Sequence, residues 1–419
     1  MLYKYVFGST AASLIRLLAF FILIKTLGAE EYGVIAYFLT ISIIVSNVAL
    51  LGSYNSSIRR VIDNERKAHV LYLSMVPVVF TIVIFTVTSY FFVRQNFELL
   101  LLIFFSEILS TVLFSFFCAL LNTINKYEIS AGCRLLNAIG SLTVSIIVYA
   151  QEFDKVEWAV LNVINAILSA SAVLLCFCFC YRPLIGKKNE DYSVKYLINN
   201  IRNNKWVTIS VFSRTAFFQS DRIILNFILN PEIYGIYSIC IRLISSFYLL
   251  ISNLIHYYEA EFYRKAKVGF NEVIKLKDLV TSKSNKIATI LIILNFSLIV
   301  FLFSLYKFNS DIFFFLGAFI LNDFNYTVFV PMYIVLLFSL YPMSKFWIYL
   351  YMLNGLGLEK LRALVLMSLI LISCFIVGAS SSVSYYLTPF SIVISYYVAC
   401  YVINRSTIYW YDNGKVKQD

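Results

Sequence analysis

The sequence predicts an all-α polytopic membrane protein of about twelve transmembrane helices, arranged as two six-helix lobes related by a pseudo-two-fold axis. Three observations carry this. Of 419 residues, 60% are hydrophobic and 14% charged, and the mean hydropathy is +0.80. A soluble chain of this size cannot bury so much apolar surface, because a packed core stops growing and the excess meets water. Charge-poor runs of about 20 residues, the length of helix that crosses roughly 30 Å of hydrocarbon, recur along the whole chain. A short turn-like motif is also written twice, half a chain apart.

The candidate spans run in order over 8–27, 33–58, 70–93, 99–121, 135–150 and 158–181 in the first half, and over 206–229, 235–258, 286–306, 327–353, 363–384 and 386–404 in the second. They divide the chain into an N-lobe, 1–205, ending in a cytoplasmic linker, and a C-lobe, 206–419, ending in a cytoplasmic tail. The first run is read as a retained span rather than a cleaved signal, since Arg16 and Lys25 interrupt it and no small-x-small site follows. The fifth, LLNAIGSLTVSIIVYA, is the shortest. Pro331 and Pro342 mark the tenth as bent. Ile312–Leu321 is apolar but too short to cross and reads as interfacial or re-entrant.

Lysines and arginines set the direction. Lys4, Arg59, Arg60, Arg66, Lys67, Lys126 and Arg134 fall on one side of the spans. So do the cations of the loops 182–205 and 259–285, with Lys360, Arg362, Arg405, Lys415 and Lys417. The opposite side holds Arg94, Lys155 and Lys307. Both termini are therefore expected in the cytoplasm, and the net charge of +11 is mostly topology. No basic stripe interleaved with aromatics points to nucleic acid. Neither loop system is large enough for a catalytic domain.

The eight cysteines suggest no metal or disulfide framework. In CFCFC, Cys176 and Cys178 lie about 200° apart on a helix and cannot share a site. The thiols read as inert and lipid-facing. No cofactor is expected.

The repeated motif is LGAEEYG, Leu27–Gly33, and LNPEIYG, Leu229–Gly235. Aligned at an offset of 235 − 33 = 202, Leu, Glu, Tyr and Gly coincide. The copies follow the first and seventh spans, an even number of crossings apart, so both face outward. Parallel six-helix repeats follow, as in transporters that rock one half against the other. The glycines are expected to serve tight turns at helix ends.

These residues, with SDRIILNFILNPEIYGIYSICIRL through the seventh and eighth spans, resemble the polysaccharide-transporter branch of the multidrug/oligosaccharidyl-lipid/polysaccharide (MOP) exporter superfamily, and within it O-antigen flippases of the Wzx type. The resemblance implies the MOP flippase fold in a bacterial inner membrane. It also implies translocation of an undecaprenyl-pyrophosphate-linked oligosaccharide from the cytoplasmic to the periplasmic leaflet. Membrane lipids, H+ or Na+, an O-antigen polymerase and a chain-length regulator are the further partners it suggests. In related lipid-linked-precursor flippases, arginines on the first and eighth helices of a hydrophilic cavity matter; Arg16 and Arg242 occupy the corresponding helices here.

Charges inside the spans carry the functional expectation. The cations are Arg16, Lys25, Arg214, Arg222, Arg242 and Lys345; the acids are Glu107 and Asp221, an excess of 6 − 2 = 4. Each ionised group at mid-membrane costs roughly 2.5–3.5 kcal/mol on insertion scales, so such residues face a cavity or a partner. Lys25, near the outer end, can snorkel. Arg16, Arg214, Arg222 and Arg242, with Lys345 as a point charge, are expected to line a cationic cavity for pyrophosphate, which guanidinium groups bind bidentately. Asp221 and Glu107 are candidates for ion coupling. On the seventh span Ser210, Ser213, Arg214, Phe217 and Asp221 share one polar stripe about 100° wide. A multidrug exporter of the same superfamily would need an acidic or apolar cavity. An O-antigen polymerase, an enzyme, would need a large outer loop. A capsule or teichoic-type polysaccharide exporter shares every feature above.

Overall fold

The computed structural model describes residues 2–50, 57, 61, 67–92, 96–181, 193–308 and 326–412. The expected interfacial piece 312–321 and the end of the second span lie outside them. Each expected span coincides with helix, edges aside. The elements are α1 (Leu2–Val48), α2 (Lys67–Phe92), α3 (Phe97–Thr123), α4 (Tyr127–Gln151), α5 (Lys155–Cys180), α6 (Val194–Asn203), α7 (Lys205–Ile228), α8 (Pro231–Val268), α9 (Phe270–Phe308), α10 (Tyr326–Leu337), α11 (Leu340–Gly355), α12 (Glu359–Val383) and α13 (Thr388–Asp412).

By length and apolarity nine helices among the described residues can cross a membrane, ten with the bent pair α10–α11. The kinked α1 counts there as one run, and α7 is excluded by its charges. α1 is continuous except at Gly28, whose φ of 75° and ψ of 173° are open to glycine alone at little cost. A straight helix of its 47 residues would measure about 70 Å, more than twice the hydrocarbon thickness, so the kink separates two arms.

Contacts divide the chain into two compact units. The first comprises Met1–Leu27 and Val34–Ala216, the second Gly28–Gly33 and Phe217–Asp419. In the first unit α5 packs on both α3 and α4, and Leu99, Phe104, Phe117 and Phe177 fill the core. Asp154 caps α5, accepting from the amides of Val156 and Glu157 while Glu157 reaches back to the Asp154 amide. In the second unit α8 packs on α9, α10 and α11, and α12 packs on α13. Phe217 and Phe346 stack at 5.0 Å in its core, and Phe218 lies on Trp347 at 5.4 Å. Large apolar side chains such as Phe80 and Ile84 on α2, Ile293 on α9 and Phe375 on α12 remain exposed. Outward apolar faces on fully hydrogen-bonded helices are what a lipid solvent requires.

Four expectations change. The fifth span is not short: α4 runs back to Tyr127, so Arg134 lies within a helix rather than a loop. The segment 259–285 is no loop either. α8 and α9 continue through it and turn at Gly269, with Glu272 bridging Lys265 across the turn at 3.0 Å and Lys275 at 2.7 Å; the i,i+3 pair Glu272–Lys275 supports helix. The thiols of Cys118, Cys133, Cys240 and Cys400 are buried in protein, not turned to lipid, because a thiol packs as a small apolar group. Arg362, counted as a loop cation, is 4% exposed and donates to Asn354 Oδ1. The tenth span does bend, by 41° at its break between α10 and α11. Pro331 is inside α10, and Pro342 stands in the first turn of α11, where a missing N–H costs little.

Candidate functional site

The two copies of the repeated motif reach the same shape by different chemistry. In the first, Gly28 supplies the break. In the second, the Asn230 side chain accepts from the Ile233 amide and Pro231 opens α8. Gly33 and Gly235, expected to turn the chain, lie inside helices. They are glycine because the two copies touch. A Cβ on Gly235 would stand 1.9 Å from the carbonyl oxygen of Ala29, and one on Gly33 would stand 2.9 Å from that of Pro231. Gly28–Gly33 and the whole second copy belong to the second unit, so this is a contact within it.

That contact delivers a residue that sequence reasoning passed over. Tyr32, one position before Gly33, is 5% exposed and lies within electrostatic reach of Arg242 and Arg222. The repeat of Tyr32 as Tyr234 was the available signal. Arg222 is half-buried on α7, and its Nη1 donates to Gln219 Oε1 at 2.9 Å, one turn back. Its Nε is buried without a partner among the described residues. Arg242 is exposed, on the next helix; its backbone carbonyl accepts from Ser246, and its guanidinium has no hydrogen-bond or ion-pair partner among the described residues. Lys345 is half-buried on α11, with no hydrogen-bond or ion-pair partner among the described residues.

Asp221 precedes Arg222 and lies within reach of its charge, but no salt bridge joins the two side chains among the described residues. Its Oδ2 accepts from the Tyr237 hydroxyl of α8, while Oδ1 is buried with no partner among the described residues. Tyr396 of α13 also lies within electrostatic reach. The α7 stripe is the buried side of its helix: Ser210 and Ser213 are fully buried, Phe217 is 4% exposed and Asp221 9%. Arg214 is half-buried. Replacing Tyr237 with Phe leaves the Asp221 carboxylate without its protein donor. The loss should be about 1–3 kcal/mol, the range for an orphaned buried group. Thermal unfolding in detergent measures it, and Asp221→Asn in the Tyr237→Phe background should restore part; an unchanged midpoint for Tyr237→Phe would remove this bond from the account.

The first unit holds Arg16, Glu107 and Arg214; the second holds Arg222, Arg242, Asp221 and Lys345. Arg16 is exposed and donates to Asn137 Oδ1 on α4. Glu107 is half-buried at the start of a π-helical stretch of α3, Ile108–Leu113. Lys25 stands 5.5 Å from the centroid of the Tyr149 ring, which suits a cation held near a helix end.

Known proteins bear on this arrangement. A family profile described as polysaccharide biosynthesis protein matches residues 4–258. No curated protein matches the sequence. The fold is shared with solved structures at low identity. A multidrug resistance MATE family transporter of the MOP superfamily, in its inward-facing conformation, aligns with a TM-score of 0.67 at 14% identity, over 97% of this chain and 96% of that one. The MATE multidrug transporter DinF-BH, solved as a ligand complex, gives 0.66 at 12%, over 99% and 95%. A MOP superfamily transporter from Pyrococcus furiosus, described as having a binding pocket of reverse polarity, gives 0.56 at 12%, over 97% and 94%.

Proposed function

The chain belongs to the polysaccharide biosynthesis protein family, and from that premise we propose that it is a flippase for an undecaprenyl-pyrophosphate-linked oligosaccharide. In this reading it is a multi-span membrane transporter rather than an enzyme, which the fold shared with MOP-type transporters supports. In the proposal it carries the repeat unit from the cytoplasmic to the periplasmic leaflet of a bacterial inner membrane, with both termini in the cytoplasm and lobes 1–205 and 206–419 as the moving parts.

One observation supports the anionic substrate above the others. Arg222 and Arg242 both lie within electrostatic reach of Tyr32, and no carboxylate is ion-paired to either among the described residues; Asp221, within reach of the Arg222 charge, accepts from Tyr237. Guanidinium groups left with donor capacity in a low-dielectric setting suit a diphosphate, which accepts several charge-assisted bonds at once. Arg16, Arg214 and Lys345 extend the set in this reading. Asp221, with one carboxylate oxygen unpartnered among the described residues, and Glu107 are the groups proposed to couple transport to H+ or Na+. The neighbouring MATE proteins are named as multidrug transporters. A cationic drug would meet repulsion from these arginines, which places that activity second.

Reconstitution decides between them. Proteoliposomes loaded with an undecaprenyl-pyrophosphate-linked oligosaccharide in one leaflet should show protein-dependent transfer of the glycan to the other, and no accumulation of a cationic rhodamine dye. Collapse of the proton and sodium gradients should slow the transfer. Dye accumulation without glycan transfer would reverse the assignment.

A further inference from the structure

Arg16 is tied to α4 by Asn137, and the same face of α4 is tied to α5 by polar bonds, with a separate polar pair joining α5 to α3. The Arg16 guanidinium donates to Asn137 Oδ1, and Asn137 is 4% exposed. One turn on, Ser141 Oγ donates to the backbone carbonyl of Asn137 at 3.0 Å. Asn165 of α5 reaches across and donates its Nδ2 to Ser141 Oγ at 3.3 Å. Asn162, on the same face of α5, donates to Ser106 Oγ of α3 at 2.7 Å. Ser106 is 3% exposed, and Glu107 and the π-helical stretch follow it directly.

The crossing from α4 to α5 is tight, and Gly140 makes it possible. A Cβ at that position would stand 2.0 Å from Asn165 Oδ1 and 2.9 Å from its Cγ. Any larger residue must swing the Asn165 amide away or push α5 off α4. Asn137, Gly140 and Ser141 share one face of α4, at i, i+3 and i+4. A change at Gly140 therefore reaches the Asn137 amide within one turn. Amide and hydroxyl bonds between helices persist in a membrane because the alternative is an unsatisfied polar group in hydrocarbon.

We infer that Asn165, seated in the space left by Gly140, is a positioning residue that aims Arg16 through Ser141 and Asn137. The inference rests on the proposed role of Arg16 as a diphosphate contact. A guanidinium recognises phosphate by direction as well as charge, and a misplacement of about 1 Å far from the bound group can cost up to about 100-fold. These polar bonds touch no substrate themselves.

The test is binding of undecaprenyl pyrophosphate to the full-length protein in detergent, read across a double-mutant cycle. Asn165→Leu removes the donor at similar volume, and Gly140→Ala displaces it. Each should weaken binding about 10-fold in the native background and change nothing further in an Arg16→Gln background, the non-additivity expected of residues acting through one another. Equal losses in both backgrounds, or no loss in the native one, overturn the positioning role and leave the reading of Arg16 intact. Native affinity in Arg16→Gln alone overturns that reading and the inference with it. Should Gly140→Ala fail to elute as a folded protein, Asn165→Leu carries the same cycle.

Discussion

Arg242→Ala and Arg222→Ala should each lower the apparent affinity for a lipid-linked diphosphate by about 10- to 100-fold, and together they should abolish transfer. A hydrogen bond to a charged group contributes about 1.5–3 kcal/mol, and a factor of ten in binding corresponds to about 1.4 kcal/mol. Arg242 should show the larger, cleaner effect, since its guanidinium has no bond to lose within the protein among the described residues. Arg222→Ala also releases Gln219. Lysine at position 242 should recover only part of the loss, because an ammonium keeps the charge and gives up the planar fork. Initial rates of glycan transfer in proteoliposomes measure all of these, with size-exclusion profiles as the control for folding. Native rates in both alanine variants would end the diphosphate assignment.

Gly235→Val should be the most damaging single change to the second unit. Even the Cβ of alanine would stand 1.9 Å from the Ala29 carbonyl oxygen, well inside van der Waals contact, and that oxygen is backbone and cannot rotate aside. Overpacking of this kind typically costs about 1–3 kcal/mol, and valine adds two methyl groups to the same clash. Gly33→Ala should cost less, because its Cβ meets the Pro231 oxygen at 2.9 Å rather than 1.9 Å, although that oxygen too is backbone and must shift. Thermal unfolding of the purified variants gives the order; a Gly235→Val protein as stable as native would mean that the two turns do not press together.

The positions of the helices could be read from the chain because lipid imposes a simple code: about 20 residues without charge. Where that code is diluted, the reading stops short. The opening turns of α4 contain Glu128 and Arg134, so the apolar run understates the helix. The hairpin of α8 and α9 is helical in a charged stretch that hydropathy does not mark, with ion pairs such as Lys275–Glu272 along it. The repeat was visible as letters, but its purpose was not. Contact between Gly33 and Gly235 joins residues some two hundred positions apart, and no local periodicity encodes that. The same limit applies to the charges. Composition gave the surplus of cations over acids, while the pairing of Asp221 with Tyr237, the burial of Arg362 and the electrostatic reach of Arg222 and Arg242 to Tyr32 depend on which helices meet.

The polarity of α7 has a consequence for how the protein is made. Arg214, Asp221 and Arg222 together add roughly 7.5–10.5 kcal/mol on the scale that describes entry of a lone helix into the bilayer, more than its one leucine and four isoleucines return. The donor that meets Asp221 sits on α8, which leaves the ribosome later. Insertion of this segment is therefore a cooperative event: α7 must wait beside the translocation channel, or within its wet interior, until α8 arrives and the two partition as a pair. Biogenesis of the second half then proceeds by assembly of helices rather than by one independent crossing after another.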